Sequence, residues 1–359
     1  MDNEILIEVS QLSRHFFHSN VANDLKNSKS SRQTIAVDNI NFTLQRGEVL
    51  GFLGPNGAGK STTMQMLTGN LAPTHGSIKI AGMDLMDNPI EAKAKIGYLP
   101  DTPPLYKELT VDEYLSYCAQ LNQIAKTAVK QAVSMAKERC GLTEHGKRVI
   151  NNLSKGYQQR VGIAQAIIHS PDIVILDEPT VGLDPIQMIE IRKLIKELGQ
   201  THSVMLSSHI LPEIQTICDN VQIINQGKLV FNSSIEQLNQ HMQTQTLRMS
   251  CANPVDIKQI EALDNVSTVQ QNGKNLIVHC SLQENSLQES SLQNSSHETP
   301  LTQDAIIKTS QQLITLANQQ QWGLYEIFPE KQTLEDIFMS LTCIETDFTS
   351  AQEQEQKID

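Results

Sequence analysis

Residues 54–61 read "GPNGAGKS", the pattern G-x-x-x-x-G-K-[ST], with a strand-like apolar run before it and the start of a helix after it. In that setting the glycines let the backbone wrap closely around phosphate, and the following helix points its amino-terminal dipole at the same charge. Lys60 is expected to bridge the β and γ phosphates of a nucleotide, and Ser61 to ligate Mg²⁺ through its hydroxyl. Gly54, Asn56, Gly57, Gly59 and Thr62 complete the expected phosphate-binding set.

Two further segments belong with this loop. "IVILDEP" places Asp177 and Glu178 just beyond a continuous apolar run of the kind a buried parallel strand requires. Carboxylates at the carboxyl end of such a strand stand where a parallel sheet presents its ligands. Asp177 is expected to hold Mg²⁺ through water, and Glu178 to activate an attacking water as general base. In "MLSSH" His209 follows another buried run, within reach of a γ-phosphate and that water. A pair of solvated acids capping the next helix is the competing reading, and the cost of desolvating them against so apolar a strand counts against it.

Elsewhere the chain alternates strands and helices. "ILIEVSQL" and residues 36–44 have strand periodicity, with a polar Ser- and Asn-rich excursion between them. Residues 78–99 read as short strand-like runs. Thr110 and Glu113 form a capping box, followed by apolar residues at helical spacing, and a second amphipathic run carries Val129, Val133, Ala136 and Cys140. Residues 110–168 are therefore expected to be a mainly helical insert. "PIQMIEIRKLIKELG" reads as a crossover helix, "SVMLSSH" as a strand, and "DNVQIINQGKLVF" as a hairpin turned at Gly227. The expected fold class is α/β on a mostly parallel sheet. Beyond about residue 240, "LRMS", "NVSTVQQ" and "NLIVHC" alternate like strands of a small α+β domain spanning 241–348. A five-residue repeat at Leu282, Leu287 and Leu292 reads as a low-complexity loop, and 349–359 as a disordered tail.

A length of 359 residues fits two domains at about 150 residues each. The net charge of −12 repels nucleic-acid phosphate, so direct nucleic-acid binding is not expected. No stretch reaches the roughly 18 apolar residues of a membrane span, and the first residues lack the features of a signal peptide. A soluble, cytoplasmic chain is expected, and the six cysteines, without a CxxC pair, read as free thiols.

The ordered set of motifs resembles the nucleotide-binding subunits of ABC transporters over residues 5–240. "LSKGYQQR" at 153–160 looks like the family signature, "VGLD" at 181–184 like its D-loop, and "SSH" at 207–209 like its switch histidine. The resemblance implies a P-loop NTPase of ABC type: a head-to-tail dimer with a second copy of the chain, ATP lying between the P-loop of one subunit and the signature of the other. Ser154 and Gly156 would then contact the γ-phosphate across the interface, Asp184 would couple the two sites, and Phe16 would stack on adenine. It also implies a separate multi-span membrane permease as partner, met by helices 110–140 and the loop near Asp101. Two departures stand out. Lys155 and Tyr157 occupy positions where glycine and glutamine are usual, so Lys155 should face outward or toward phosphate. Asp101 replaces the usual glutamine after "IGYL", a feature of a branch of exporter ATPases, where it would contact Mg²⁺ and water. "TLEDIFMSLT" at 333–342 resembles the closing helix of drug, polysaccharide and gliding-motility exporter subunits. A soluble ABC ATPase that remodels a protein or nucleic-acid complex is the alternative.

Overall fold

The structure is a computed structural model that describes residues 4–18, 32–241, 246–263, 265–272, 275–280 and 301–329. The chain divides into two compact units, Met1–Ile235 and Glu236–Asp359.

In the first unit, β1 (Ile5–His18) and β2 (Arg32–Gln45) pair antiparallel along most of their length, and β3 (Val49–Leu53) leads into the phosphate loop and α1 (Lys60–Leu67). The excursion expected between the first two strands is shorter than the sequence implied. Strand pairing reaches His18 and Arg32, and the interior of the excursion lies outside the described residues. Next come β4 (His75–Ile80), β5 (Met83–Asp84), α2 (Pro89–Ala94) and β6 (Ile96–Leu99). Helix α2 corrects the reading of 78–99 as strand-like runs throughout. Pro89 stands in its first turn with Glu91, where a missing N–H costs nothing and an acid favours the helix start.

The helical insert holds α3 (Val111–Leu121), α4 (Val129–Arg139) and α5 (Lys155–Ile167). Its first helix begins at the expected capping box: the Thr110 hydroxyl accepts from the Glu113 amide at 3.3 Å, and the Glu113 carboxylate accepts from the Thr110 amide at 2.8 Å. The sheet then resumes with β7 (Ile173–Leu176), α6 (Pro185–Leu198), β8 (Ser203–Ser208), α7 (Leu211–Ile217), β9 (Asn220–Asn225) and β10 (Lys228–Ser234).

Six strands form the main sheet in the order β10-β9-β3-β8-β7-β6, and all but β10 run parallel. Every residue of β3, β7 and β8 is buried; β7 therefore reads as an unbroken apolar run and β3 as one interrupted only by Gly51, whereas β8 buries three serines beside Val204, Met205 and Leu206. The other sheet, β2-β1-β4-β5, is antiparallel, and one apolar cluster joins it to α1 and a face of the main sheet, with Phe42 and Phe52 meeting ring to ring at 5.9 Å. At the β9–β10 turn, Gln226 and Gly227 have φ of 48° and 84°, the left-handed pair of a two-residue hairpin loop. Gly227 is buried: its amide donates to the Ala58 carbonyl of the phosphate loop, and its carbonyl accepts from the Asp38 amide.

Helix α8 (Ile235–His241) leads to the second unit, built from β11 (Thr246–Cys251), α9 (Ile257–Glu261), β12 (Val266–Asn272), β13 (Asn275–Cys280), α10 (Leu301–Gln319) and β14 (Leu324–Pro329). Its antiparallel sheet runs β12-β13-β11-β14, a split βαββαβ arrangement whose core gathers Leu247, Met249, Leu276, Val278, Leu313 and Trp322. This is the small α+β domain in the expected fold class. The five-residue repeat, the closing helix at 333–342 and the tail lie outside the described residues. Cys118, Cys140, Cys218, Cys251 and Cys280 are free and buried, and burial pushes the Cys140 thiol up to about 12.

Below the main sheet a buried histidine fixes an acid limit to stability. His202 is buried, with Nδ1 at 2.7 Å from the Pro171 carbonyl and Nε2 at 3.0 Å from the Arg139 guanidinium. Arg139 can only donate, so Nε2 accepts, Nδ1–H donates and the ring is neutral. Burial lowers its pKa; the hydrogen bond to the Pro171 carbonyl works the other way, and Arg139 lowers and Asp172 raises it by less; burial also lowers His169. Because the folded values lie below the unfolded value of about 6.5, the unfolded chain protonates first as pH falls. Stability should be fully present above about pH 7 and decline as pH drops through 6.5. Melting temperatures across pH 8 to 5 should show this slope, flattened in His202→Asn.

Candidate functional site

Three adjacent parallel strands, β3, β8 and β7, end side by side, and each delivers part of the site at its carboxyl end. From β3 comes the phosphate loop. A Cβ on Gly54 would overlap the Ile224 carbonyl of β9, and one on Gly59 would overlap the Ala36 carbonyl of β2, where φ is also 113°. The loop is thus wedged between two strands as well as wrapped around its ligand space.

Lys60 is the first residue of α1 and 5% exposed; its ammonium donates to the Gly54 carbonyl at 2.8 Å and the Pro55 carbonyl at 3.2 Å, and pairs with Glu178 at 3.2 Å. Ser61 donates to the Asp177 carboxylate at 3.2 Å. Glu178 splits its two oxygens, Oε1 to Lys60 and Oε2 to His209 Nδ1 at 2.9 Å. Facing a carboxylate, Nδ1 of His209 carries the proton in this arrangement. Asn56, Gly57, Gly59, Lys60, Ser61, Thr62, Asp101, Glu178 and His209 line one cavity of about 390 Å³, with Ala36 and Val181 completing its wall.

Asp177, 2% exposed, sits behind this cavity. Burial raises its pKa; hydrogen bonds from Ser207 and Ser61 work the other way, while the neighbouring charges of Glu178 and Asp101 raise it again. A hydroxyl and a hard carboxylate 3.2 Å apart, in a pocket short of positive charge, fit a small divalent cation of the Mg²⁺ kind. Ser207 is a residue the sequence reading passed over. Its hydroxyl donates to Asp177 at 2.6 Å and accepts from the Glu178 amide at 2.9 Å, so it holds both acids at once. The signal was the hydroxyl pair in "SSH", of which only the histidine was read.

Four candidates lie apart from the cavity. Ser154 is the N-cap of α5 and accepts from the Tyr157 amide at 3.4 Å; Asp184 is the N-cap of α6 and accepts from Gln187 at 2.9 Å. Gly156 lies against the Gln187 side chain, so signature and D-loop adjoin each other. Lys155 is exposed, with its ammonium packed against Gly182, whose φ is 70°. Tyr157 stacks on His145 with ring centroids 4.1 Å apart. Phe16 is half-buried on β1 opposite Thr34, with the Arg14 guanidinium 4.8 Å from its ring centroid.

A phosphate loop, a buried acid pair and a histidine on adjacent strand ends define a P-loop nucleoside triphosphatase. The comparisons make this more particular. The sequence model of the family described as ABC transporter matches residues 37–181. An uncharacterized ABC transporter ATP-binding protein of Bacillus subtilis (strain 168), YxlF, is 37% identical over 222 residues, 62% of this chain and 74% of that protein. The bacitracin transport ATP-binding protein BcrA of Bacillus licheniformis is 42% identical over 197 residues, 54% of this chain and 63% of that one. Among solved structures, cbiO1 from Clostridium perfringens, part of the ABC transporter complex cbiONQ, superposes with a TM-score of 0.56 at 26% identity, over 66% of this chain and 91% of its own. The chain belongs to the ATP-binding proteins of the ABC transporter family, and its activity is ATP hydrolysis coupled to transport.

Proposed function

We propose that two copies of this chain close head-to-tail around two ATP molecules and drive a separate multi-span permease, from the cytoplasmic face of the membrane and in the direction of export. The observation that carries this reading is the separation of motifs: Ser154, Gly156 and Asp184 lie outside the cavity that the phosphate loop lines. A signature that does not face its own phosphate loop is placed to complete the site of a second copy.

Within each site Lys60 neutralises the β and γ phosphates, and Glu178, freed from Lys60 when phosphate takes that ammonium, accepts a proton from the attacking water. His209, hydrogen-bonded to Glu178, orients that carboxylate and meets the γ-phosphate. Ser61 and Asp177, with Asp101 at the cavity wall, would hold Mg²⁺, which supplies charge neutralisation on the phosphates when bound.

Among the described residues no helix is long and apolar enough to cross a membrane. A second cavity, of about 640 Å³, lies beside the Asp101 segment and is walled by Tyr98, Pro100, Pro104, Asn122, Gln165 and His169. On α3, Tyr117 and Leu121 are 40% and 63% exposed. We assign this region to the permease. Transport is supported by the likeness to a bacitracin transport protein, and export by Asp101 in place of glutamine, as in the exporter branch that the chain resembles. The 241–348 region acts as an accessory module apart from the ATPase.

Affinity isolation of the tagged full chain from gently solubilised membranes, with mass spectrometry of stoichiometric partners, tests the assignment. One multi-span protein should be recovered. Recovery of soluble proteins or nucleic acid alone, with ATPase activity intact, would put the soluble remodelling reading in its place.

A further inference from the structure

Glu178 has φ of 49°, a left-handed backbone conformation that a residue with a Cβ adopts only under strain. Such strain persists only where the surroundings hold it, and the loop leaving β7 would otherwise relax. On its amino side the hold is Ser207, which accepts from the Glu178 amide. On its carboxyl side it is a residue with no part in the nucleotide cavity. Glu213, on α7 and 1% exposed, accepts from the Thr180 hydroxyl at 2.8 Å and the Ser208 hydroxyl at 2.9 Å through Oε2, and from Arg192 at 2.8 Å through Oε1.

The positions of these three donors in the chain give the network its meaning. Thr180 is two residues after Glu178, and Ser208 immediately precedes His209. Arg192 belongs to α6, the helix whose N-cap is Asp184. One carboxylate thus grips the loop carrying the acid, the strand end carrying the histidine and the helix that starts at the D-loop. Burying a carboxylate against a half-buried guanidinium is expensive, and apolar residues of similar volume generally stabilise a core as well or better. The ion pair therefore makes more sense as a device for register than for stability.

We propose that Glu213 is a positioning residue for hydrolysis: its carboxylate keeps Glu178 and His209 at hydrogen-bond distance and ties that pair to helix α6. This rests on the assignment of Glu178 as general base with His209 as its partner. A shift of the order of 1 Å in such a pair is enough to cost up to about a hundredfold in rate without touching the groups that bind nucleotide.

The variants separate the two halves of the network. Thr180→Val and Ser208→Ala each remove a hydroxyl grip while leaving the Arg192–Glu213 pair. Glu213→Gln can still accept from both hydroxyls but turns an amide N–H₂ toward Arg192. In the full-length protein with Mg²⁺ and ATP, kcat should fall between tenfold and about a hundredfold in Thr180→Val and Glu213→Gln. The KM for ATP should stay within about twofold, and Thr180→Ser should restore most of kcat. Should any variant fold poorly, the Ser208→Ala and Thr180→Ser comparison still reads the same split. Unchanged kcat in folded variants would overturn the proposal, as would kcat and KM changing together in step with lost melting temperature. Glu178→Gln serves as the control: if it keeps turning over, the assignment of the base has failed, whereas an inactive Glu178→Gln beside fully active Thr180 and Glu213 variants refutes the positioning role alone.

Discussion

Replacing Glu178 with glutamine should lower ATP turnover by about 10²- to 10⁴-fold while leaving the protein folded and able to bind ATP. Glutamine keeps the shape of the side chain, and its carbonyl oxygen still accepts from His209 Nδ1–H, now 2.9 Å from the carboxylate. Lys60 loses an ion pair but not its satisfaction, because the Gly54 and Pro55 carbonyls at 2.8 and 3.2 Å remain. Beyond that ion pair, the loss is proton acceptance from water. With hydrolysis blocked, the ATP-bound closed state has no exit, so the variant should accumulate as a dimer at saturating ATP. Phosphate release and size-exclusion chromatography with and without ATP measure the two halves of this result. An active variant, or one that stays monomeric with ATP bound, would contradict the mechanism.

Asp177→Asn should separate activity from stability with opposite signs. In the folded protein burial raises the Asp177 pKa, so the charged form is worse off there than in the unfolded chain. A raised carboxylate pKa means that ionisation works against folding above the unfolded value of about 3.9, and the penalty lifts as pH falls through the folded value. Asparagine removes that penalty and still accepts from Ser207 and Ser61, at 2.6 and 3.2 Å in the parent. Without nucleotide, its melting temperature at pH 7 should exceed that of the parent, and the two should converge toward pH 3. Adding Mg²⁺ and ATP should reverse the order, since the parent gains a cation ligand that the variant lacks. Turnover should drop by at least about a hundredfold. A variant less stable than the parent without nucleotide at pH 7 would show that the carboxylate is held by more than the two serines.

What the sequence disclosed and what it withheld divide along a physical line. The phosphate loop, the acid pair and His209 were legible because each is a local string set against a fully buried strand, announced by apolar runs in β3 and β7 and by the shorter apolar core of β8, Val204 to Leu206. Helix α2 went unread because six residues offer too little periodicity, although Pro89 marked its start. Lys155 had two allowed directions in sequence, and only the packing of its ammonium on Gly182 selects one. Ser207 and Glu213 were invisible for a different reason. Their importance lies in partners 30 and 33 residues away, and no spacing rule brings a hydroxyl to Asp177 or to a carboxylate on another helix.

Two-residue hairpin loops at the surface are ordinarily where protein engineers place an epitope or a fluorophore, because such tips tolerate change. The Gln226–Gly227 turn looks like one of these in sequence. Yet its glycine is buried, with its amide on the Ala58 carbonyl and its own carbonyl on the Asp38 amide. A label inserted there would act as a wedge against the nucleotide loop, and a silent reporter would have to be sited elsewhere.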